Sequence, residues 1–324
     1  MTLKELSKIT GYSVSTLSKA FSGSREVSRE TRAAIVKKAE ELGCYYKYNK
    51  IKHGKKIIAI LCPDTADAYY ASIVSDLNRT LEKKNATVTV SLTGFSLKTE
   101  QELTAFYSCG RADGIIVIEG RSQAKKHTPV PMIYLNPFSE NPYADTVNTD
   151  FYTGIAEAIG EFCRNGHKKI GFIGDRHTED KLRLFYKATE RLGVSTYPEY
   201  IAVESTRFEE AGYNGMERMI KSGNMPTALL AAYDDIAIGA IHCMEKHGLK
   251  CPEDMSVIGI DNIKTASYEH ISLTTISSNT EKMNSIAAAI LFKKIENRAF
   301  NVFQSVTVKS TLVLRNSVKN ISGN

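Results

Sequence analysis

Histidine and cysteine are the side chains most often recruited for metal, nucleophilic and redox chemistry, and in this sequence neither is gathered. The seven His are dispersed. The six cysteines (Cys44, Cys62, Cys109, Cys163, Cys243, Cys251) include no C-x-x-C, which argues against a zinc site or a disulfide framework and fits a reducing compartment. There is no G-x-G-x-x-G, P-loop, H-E-x-x-H or G-x-S-x-G. Gly171-Phe172-Ile173-Gly174 is a weak glycine signal, because buried strand ends often carry Gly. The expectation is a protein that is not an enzyme and uses no cofactor and no metal. What is gathered is positive charge. Residues 1–56 hold thirteen Lys or Arg, five Glu and no Asp, a net +8, while the whole chain is +6, leaving −2 for the remainder. A small basic head on a near-neutral body suits a protein that meets a polyanion with one segment only.

The elements that must position this charge are legible. Thr2-Leu3-Lys4-Glu5 forms a capping box, a hydroxyl at the N-cap and Glu three residues on. Leu3, Leu6 and Ile9 then share a helical face. Gly11 suits a tight turn, and Ser13 caps a second helix with Val14, Leu17 and Phe21 at spacings of three and four. After Gly23, Ser28 caps a third helix carrying Ile35, Ala39 and Leu42 on one face, and Gly43 stops it. Two short helices joined by a four-residue turn, then a supporting third, predict a helix-turn-helix that places its second helix in the DNA major groove. Thr2–Ser7, Gly11–Lys19 and Val27–Arg32 resemble the headpiece of the LacI/GalR (lac repressor) family.

The body reads differently. At 324 residues and 35.9 kDa the chain has room for two or three domains, and 42% apolar with 24% charged residues excludes a wholly disordered chain. The longest unbroken apolar run, Ile286 to Phe292, is far short of the ~20 residues of a membrane span. The opening Met1-Thr2-Leu3-Lys4-Glu5 lacks the pattern of a secretory signal, so a cytoplasmic protein without membrane contact is expected. Strands are predicted at 57–62, 87–92, 114–118, 132–135, 170–173, 200–203, 228–232 and 256–260, alternating with helices around 73–81, 100–109, 181–192, 208–221 and 236–247. That alternation implies an α/β body with two parallel sheets and two lobes, whose natural ligand site lies between them, beyond the carboxyl ends of the strands.

Family resemblance extends through this body. Its landmarks are Ala112–Val117, Gly166–Ile173, Pro226–Leu229, Asp234 with Ile236–Ala240, Gly248-Leu249, Pro252–Asn262, Leu273–Ile276 and the closing Leu312–Arg315 with Ser317. The resemblance implies a periplasmic-binding-protein-like body. The expected division is a headpiece at 1–43, a hinge at 44–56 and an effector-binding and dimerisation domain at 57–324. Lobe one is then 57–166 with 279–307, and lobe two 167–278 with 308–318.

The same resemblance assigns residues. Val14, Ser15 and Lys19 stand at base-reading positions: an ammonium donates to guanine O6 and N7, a hydroxyl adapts to several bases, and Val packs on a thymine methyl. Ser18, Ser28 and Thr31 are candidate phosphate donors, with helix capping the alternative use. Ile51 takes the minor-groove wedge position, although the hinge is about two residues shorter than usual and lacks the family's Pro-Asn and Ala. For the effector, Asp261 is the foremost candidate, since a carboxylate accepts from sugar hydroxyls. Lys181 and Arg183 are alternative pocket cations. Tyr69, Tyr70, Asn136 and Asp150 fall where relatives line the cleft. Tyr233 replaces an Asn frequent in sugar-binding relatives, which makes an ordinary hexose less secure.

The implied function is a sequence-specific transcriptional regulator, a repressor of carbohydrate-utilisation genes. A homodimer would bind near-palindromic double-stranded operator DNA under control of a small-molecule effector, a sugar or sugar derivative. The alternatives are a solute-binding receptor without DNA function, against which the basic head argues, and a regulator answering to a non-sugar effector such as a nucleobase.

Overall fold

A computed structural model describes residues 1–24, 26–48, 55–124, 128–268, 270, 272–297 and 302–322. Ile51 lies outside the described residues. The chain opens with α1 (Leu3–Thr10), α2 (Val14–Phe21), α3 (Arg29–Glu41) and a single turn, α4 (Tyr45–Tyr48). It continues through β1 (Lys56–Cys62), α5 (Ala68–Glu82), β2 (Ala86–Leu92), α6 (Leu97–Ser108), β3 (Gly114–Ile118), β4 (Met132–Leu135), β5 (Asp145–Asp150) and α7 (Phe151–Arg164). Then follow β6 (Ile170–Asp175), α8 (Glu179–Arg191), β7 (Ile201–Glu204), α9 (Phe208–Ser222), β8 (Ala228–Ala231), α10 (Asp234–Lys246) and β9 (Ser256–Ile260). Last come β10 (Thr274–Ser277), α11 (Thr280–Glu296), β11 (Ser305–Lys309) and β12 (Thr311–Val313).

The headpiece forms as its capping residues dictate. Thr2 and Glu5 cap each other's backbone, Ser13 accepts from Thr16 N (3.0 Å) and Ser28 from Thr31 N (3.1 Å). Gly11 closes α1 at φ +72, and three residues rather than four link it to α2. Leu6, Leu17, Ala20, Phe21, Val27, Ile35, Ala39 and Cys44 bury together. The core does not end at Gly43. Tyr48 stacks on Phe21 with centroids 5.7 Å apart and its hydroxyl donates to Met1 O at 2.6 Å. Residues expected in the hinge thus belong to the headpiece as far as Tyr48, because so small a core gains from every aromatic it can cover.

Two six-stranded sheets make up the body, ordered β11-β5-β4-β3-β1-β2 and β12-β10-β9-β8-β6-β7. Pairing is parallel through β5-β4-β3-β1-β2 and through β10-β9-β8-β6-β7, with β12 antiparallel on β10. Strands β3, β4, β6, β8 and β9 are buried along their whole lengths, as expected of parallel strands covered on both faces. The chain divides into two compact units: unit 1 is Met1–Ala66, Ile73–Val147 and Asn284–Val306, and unit 2 is Asp67–Ser72, Asn148–Met283 and Thr307–Asn324. The boundary expected near residue 166 therefore falls at 147/148. Helix α7 belongs with unit 2 because Gly154 seats it there: its N–H donates to Ser310 Oγ at 2.9 Å, and any Cβ would lie 2.3 Å from Ile276.

Among the described residues no helix is long and apolar enough to cross a membrane, and no three His, Cys, Asp or Glu could hold a metal ion.

Candidate functional site

Helix α2 sorts its residues by face. Leu17, Ala20 and Phe21 point into the headpiece core, while Val14 (40% exposed), Ser15 and Lys19 face solvent and Ser18 is half-buried beside them. The exposed strip thus carries three residue types able to address base edges. Ser28 and Thr31 are spent on capping α3, where the Ser28 hydroxyl donates to Thr31 Oγ1 at 3.0 Å. Lys19 is not idle: its ammonium sits 2.5 Å from Glu26 Oε2.

In unit 2 the strand order reverses at β6, which lies between β7 and β8. At such a switch point the loops leaving the carboxyl ends diverge and open a crevice. Every strand around it delivers a polar residue there. Strand β6 ends on Asp175, β7 is followed by Arg207, β8 by Tyr233, Asp234 and Asp235, and β9 by Asp261. Lys181 enters from the first turns of α8 and Asp67 from the residue before α5.

Asp175 is fully buried and fully engaged. Its Oδ1 accepts from His177 N (2.8 Å), and its Oδ2 takes a short hydrogen bond from the Tyr233 hydroxyl and a 3.4 Å contact from Arg207 Nε. Arg207 also reaches Asp67 at 3.8 Å and lies 4.4 Å over the Phe208 ring. Burial, with the hydrogen bond to Asp175 next, pushes the Tyr233 phenol well up, so it stays a donor. Asp234 is wholly buried and accepts from Thr275 Oγ1 (2.5 Å) and Ile263 N (2.8 Å). It rests on Gly259, whose Cβ would stand 2.1 Å from Asp234 Oδ1.

Asp261 is held by its backbone. Its φ of +107 is strained for a residue with a side chain, and the segment is fixed by Asp261 N–H donating to Ile276 O (2.8 Å) and Arg315 donating to Asn262 Oδ1 (2.7 Å). The carboxylate is 6% exposed, its Oδ1 accepts no hydrogen bond among the described residues, and Lys181 Nζ stands 3.7 Å away. Lys181 gives its hydrogen bond to Ala232 O instead (2.8 Å), with the Phe151 and Tyr233 rings 5.0 and 5.6 Å from the ammonium. Burial raises Asp261 to about 6 against the pull of Lys181, and Asp67 adds to the rise. Asp235 is raised to about 7 by burial, then by Glu209, Asp67 and Asp261. Burial likewise raises Asp67. The result is an acid-rich edge with two cations, aromatic faces and, among the described residues, one buried carboxylate oxygen lacking a donor, chemistry suited to a ligand with several hydroxyl or amine hydrogens.

Of the residues singled out from the sequence, Lys181, Tyr233 and Asp261 come together here. Tyr69 and Tyr70 adjoin through Asp67, which accepts from Tyr69 N at 2.7 Å, and both are nearly buried. Arg183 stands outside, its side chain 77% exposed and paired with Asp180 one turn away. Asp150 spends its carboxylate on capping α7, accepting from Thr153 N (3.2 Å) and Oγ1 (2.6 Å). Asn136 belongs to unit 1, where its N–H donates to Val147 O at 3.0 Å. Sequence reasoning missed Asp67, Asp175, Arg207 and Asp235. Asp175, Arg207 and Asp235 lie within four residues of the end of a strand already placed by hydrophobic pattern, so the carboxyl-end rule, applied to every strand, finds them.

A parallel-stranded binding fold with a helix-turn-helix head defines a ligand-responsive regulator class, and comparison with known proteins agrees. Residues 159–318 match the periplasmic binding protein-like domain. The HTH-type transcriptional repressors PurR of Proteus mirabilis (strain HI4320) and of Salmonella enteritidis PT4 (strain P125109) are each 27% identical over 332 residues, covering 98% of this chain and 96% of theirs. The lac repressor dimer bound to operator and the anti-inducer ONPF shares the fold at TM-score 0.71 and 19% identity, covering 98% of this chain and 99% of that one. The transcriptional regulator CelR in complex with cellobiose does so at TM-score 0.70 and 19% identity, with the same coverage. Over nearly its whole length the chain is thus similar to proteins of the LacI/GalR family, and these relatives are transcriptional regulators, not enzymes.

Proposed function

We propose that this protein is a transcriptional repressor that binds operator DNA as a homodimer and answers to a small polyhydroxylated effector, a sugar or sugar derivative, at the carboxyl edge of the unit 2 sheet. The observation that carries the DNA half is the outward strip of α2, Val14, Ser15, Ser18 and Lys19, on a segment of net charge +8. Such a strip reads bases while the surrounding Lys and Arg neutralise phosphates. The effector half rests on the buried Asp261 oxygen without a donor, set beside Lys181 and the Tyr233 and Phe151 rings. A hydroxyl donates to that oxygen and a pyranose face stacks on an aromatic ring. The cellobiose complex of CelR points the same way.

In vitro selection from random duplexes should return a near-palindromic sequence. Lys19→Ala should then lose about 1–3 kcal/mol on it and relax preference at one symmetric base pair. Calorimetry against mono- and disaccharides, their phosphates and free nucleobases should find a ligand whose binding Asp261→Asn abolishes, with apo DNA affinity intact. Selection that returns no preferred sequence would refute the DNA half. A nucleobase as the sole ligand would replace the sugar reading, and effector binding unchanged in Asp261→Asn would remove that residue from the site.

A further inference from the structure

The Lys19–Glu26 pair lies on the face that the proposed function turns toward DNA, and a carboxylate is an unfavourable neighbour for a polyanion. Its place is nonetheless built. Ser24 N–H donates to the Lys19 carbonyl at 3.0 Å, and an Arg32 guanidinium N–H donates to the Ser24 carbonyl. Glu26 N–H donates to Ser24 Oγ at 3.3 Å, and the next residue, Val27, is buried in the headpiece core. The backbone that carries Glu26 is therefore tied to the residue whose ammonium it holds. Both side chains remain open to solvent, 45% and 68% exposed, so as a stabilising ion pair the contact contributes little. Its consequence lies in what it leaves free. An ammonium has three donors and no directional preference of its own, which is why Lys discriminates bases less sharply than the planar fork of Arg.

We propose that Glu26 is a positioning residue for base reading: it takes one of the three Lys19 donors, leaves two to bridge O6 and N7 of a single guanine, and by its charge disfavours release of that ammonium to a phosphate. A lysine so held behaves as a directed two-donor fork. This inference rests on the headpiece reading above. It adds that the specificity of Lys19 resides in the pair.

The test uses the full chain and the duplex obtained by in vitro selection, with fluorescence anisotropy on that duplex, on its symmetric single-base-pair variants and on an unrelated duplex. Glu26→Gln keeps the side-chain shape, and its exposure leaves the fold intact, checked by an unchanged thermal melt. The expected result is about tenfold loss of discrimination at the base pair that Lys19 reads, together with tighter binding to the unrelated duplex. In a Lys19→Ala background, Glu26→Gln should leave base preference unchanged. In a Lys19→Arg background the loss should shrink, since the guanidinium fork is already directed. A Glu26→Gln protein that keeps wild-type preference at every position would overturn the proposal. So would a preference shift that persists in Lys19→Ala, because Glu26 would then read a base itself. Failure of selection to yield any sequence would instead overturn the headpiece reading, an outcome distinct from either.

Discussion

Replacing Asp235 by Asn should stabilise the protein above neutral pH and do almost nothing near pH 4. Asp235 opens α10, where a carboxylate ordinarily stabilises the helix by about 0.3–1 kcal/mol through the macrodipole. A larger penalty opposes that gain. Burial, with Glu209, Asp67 and Asp261 in support, lifts the carboxyl from 3.8 to about 7. A displacement of roughly three pH units at about 1.4 kcal/mol each is about 4 kcal/mol, and partial solvent access reduces it to about 2 kcal/mol, still more than the dipole returns. The sign follows from proton binding. Between about pH 4 and pH 7 the native state holds a proton that the unfolded chain has released, so native stability falls as pH rises across that window. Above it, ionised Asp235 imposes its full cost. Below the unfolded value both states are protonated and the cost vanishes. Thermal melts of wild type and Asp235→Asn should therefore differ by about 4–8 °C at pH 8, with Asn the more stable, and converge near pH 4. A gain of equal size at both pH values would show that ionisation is not its source. An Asn variant that melts lower at pH 8 would show that the helix-start charge outweighs burial.

Leu17→Ala, at a fully buried position in the headpiece, should cost about 2–5 kcal/mol, enough to unfold so small a core. Operator binding in an anisotropy titration should be lost while the Asp261-dependent calorimetric signal remains, and joint loss of both would contradict separable functions. Gly239→Ala should lower the melting temperature through an overpacking cost of about 3 kcal/mol, since a Cβ there would lie 1.9 Å from the Glu209 carbonyl where α9 and α10 press together. An unchanged melt would mean that the two helices separate at little cost.

The elements were legible because their signals are local. Capping residues announced α1, α2 and α3, and unbroken apolar runs announced β1, β3, β6 and β9, within a residue or two of the observed ends. Strand β5 escaped notice because Asp145-Thr146-Val147-Asn148-Thr149-Asp150 is polar everywhere except Val147. Asp145 is buried only because Lys294 meets it at 2.5 Å and Gln304 N donates to it at 2.9 Å. Those partners lie some 150 residues away, beyond any periodicity. The same limit explains Asp150, whose use as a helix cap could not be separated from ligand binding by residue type alone. Lys181 and Arg183, two residues apart, became distinguishable only through helix phase, which turns Lys181 to Ala232 and Asp261 and Arg183 to solvent.

The two proposed recognition surfaces are chemically opposed. The headpiece concentrates cations and sets Glu26 against Lys19, the proposed base-reading residue. The unit 2 edge concentrates Asp67, Asp175, Asp234, Asp235 and Asp261 around Lys181 and Arg207, both already engaged by carboxylates or a carbonyl. The acid-rich edge has a cost in stability, because carboxylates buried without full partners resist ionisation. A ligand that donates hydrogens to Asp261 relieves that cost, since hydrogen bonds to the ionised form favour it. Effector affinity should accordingly strengthen as pH rises through about 6, where Asp261 ionises. Calorimetry across about pH 5–8 checks this, with proton release expected on binding near pH 6. Affinity that is flat across the range would place the ligand's hydrogens elsewhere than on Asp261.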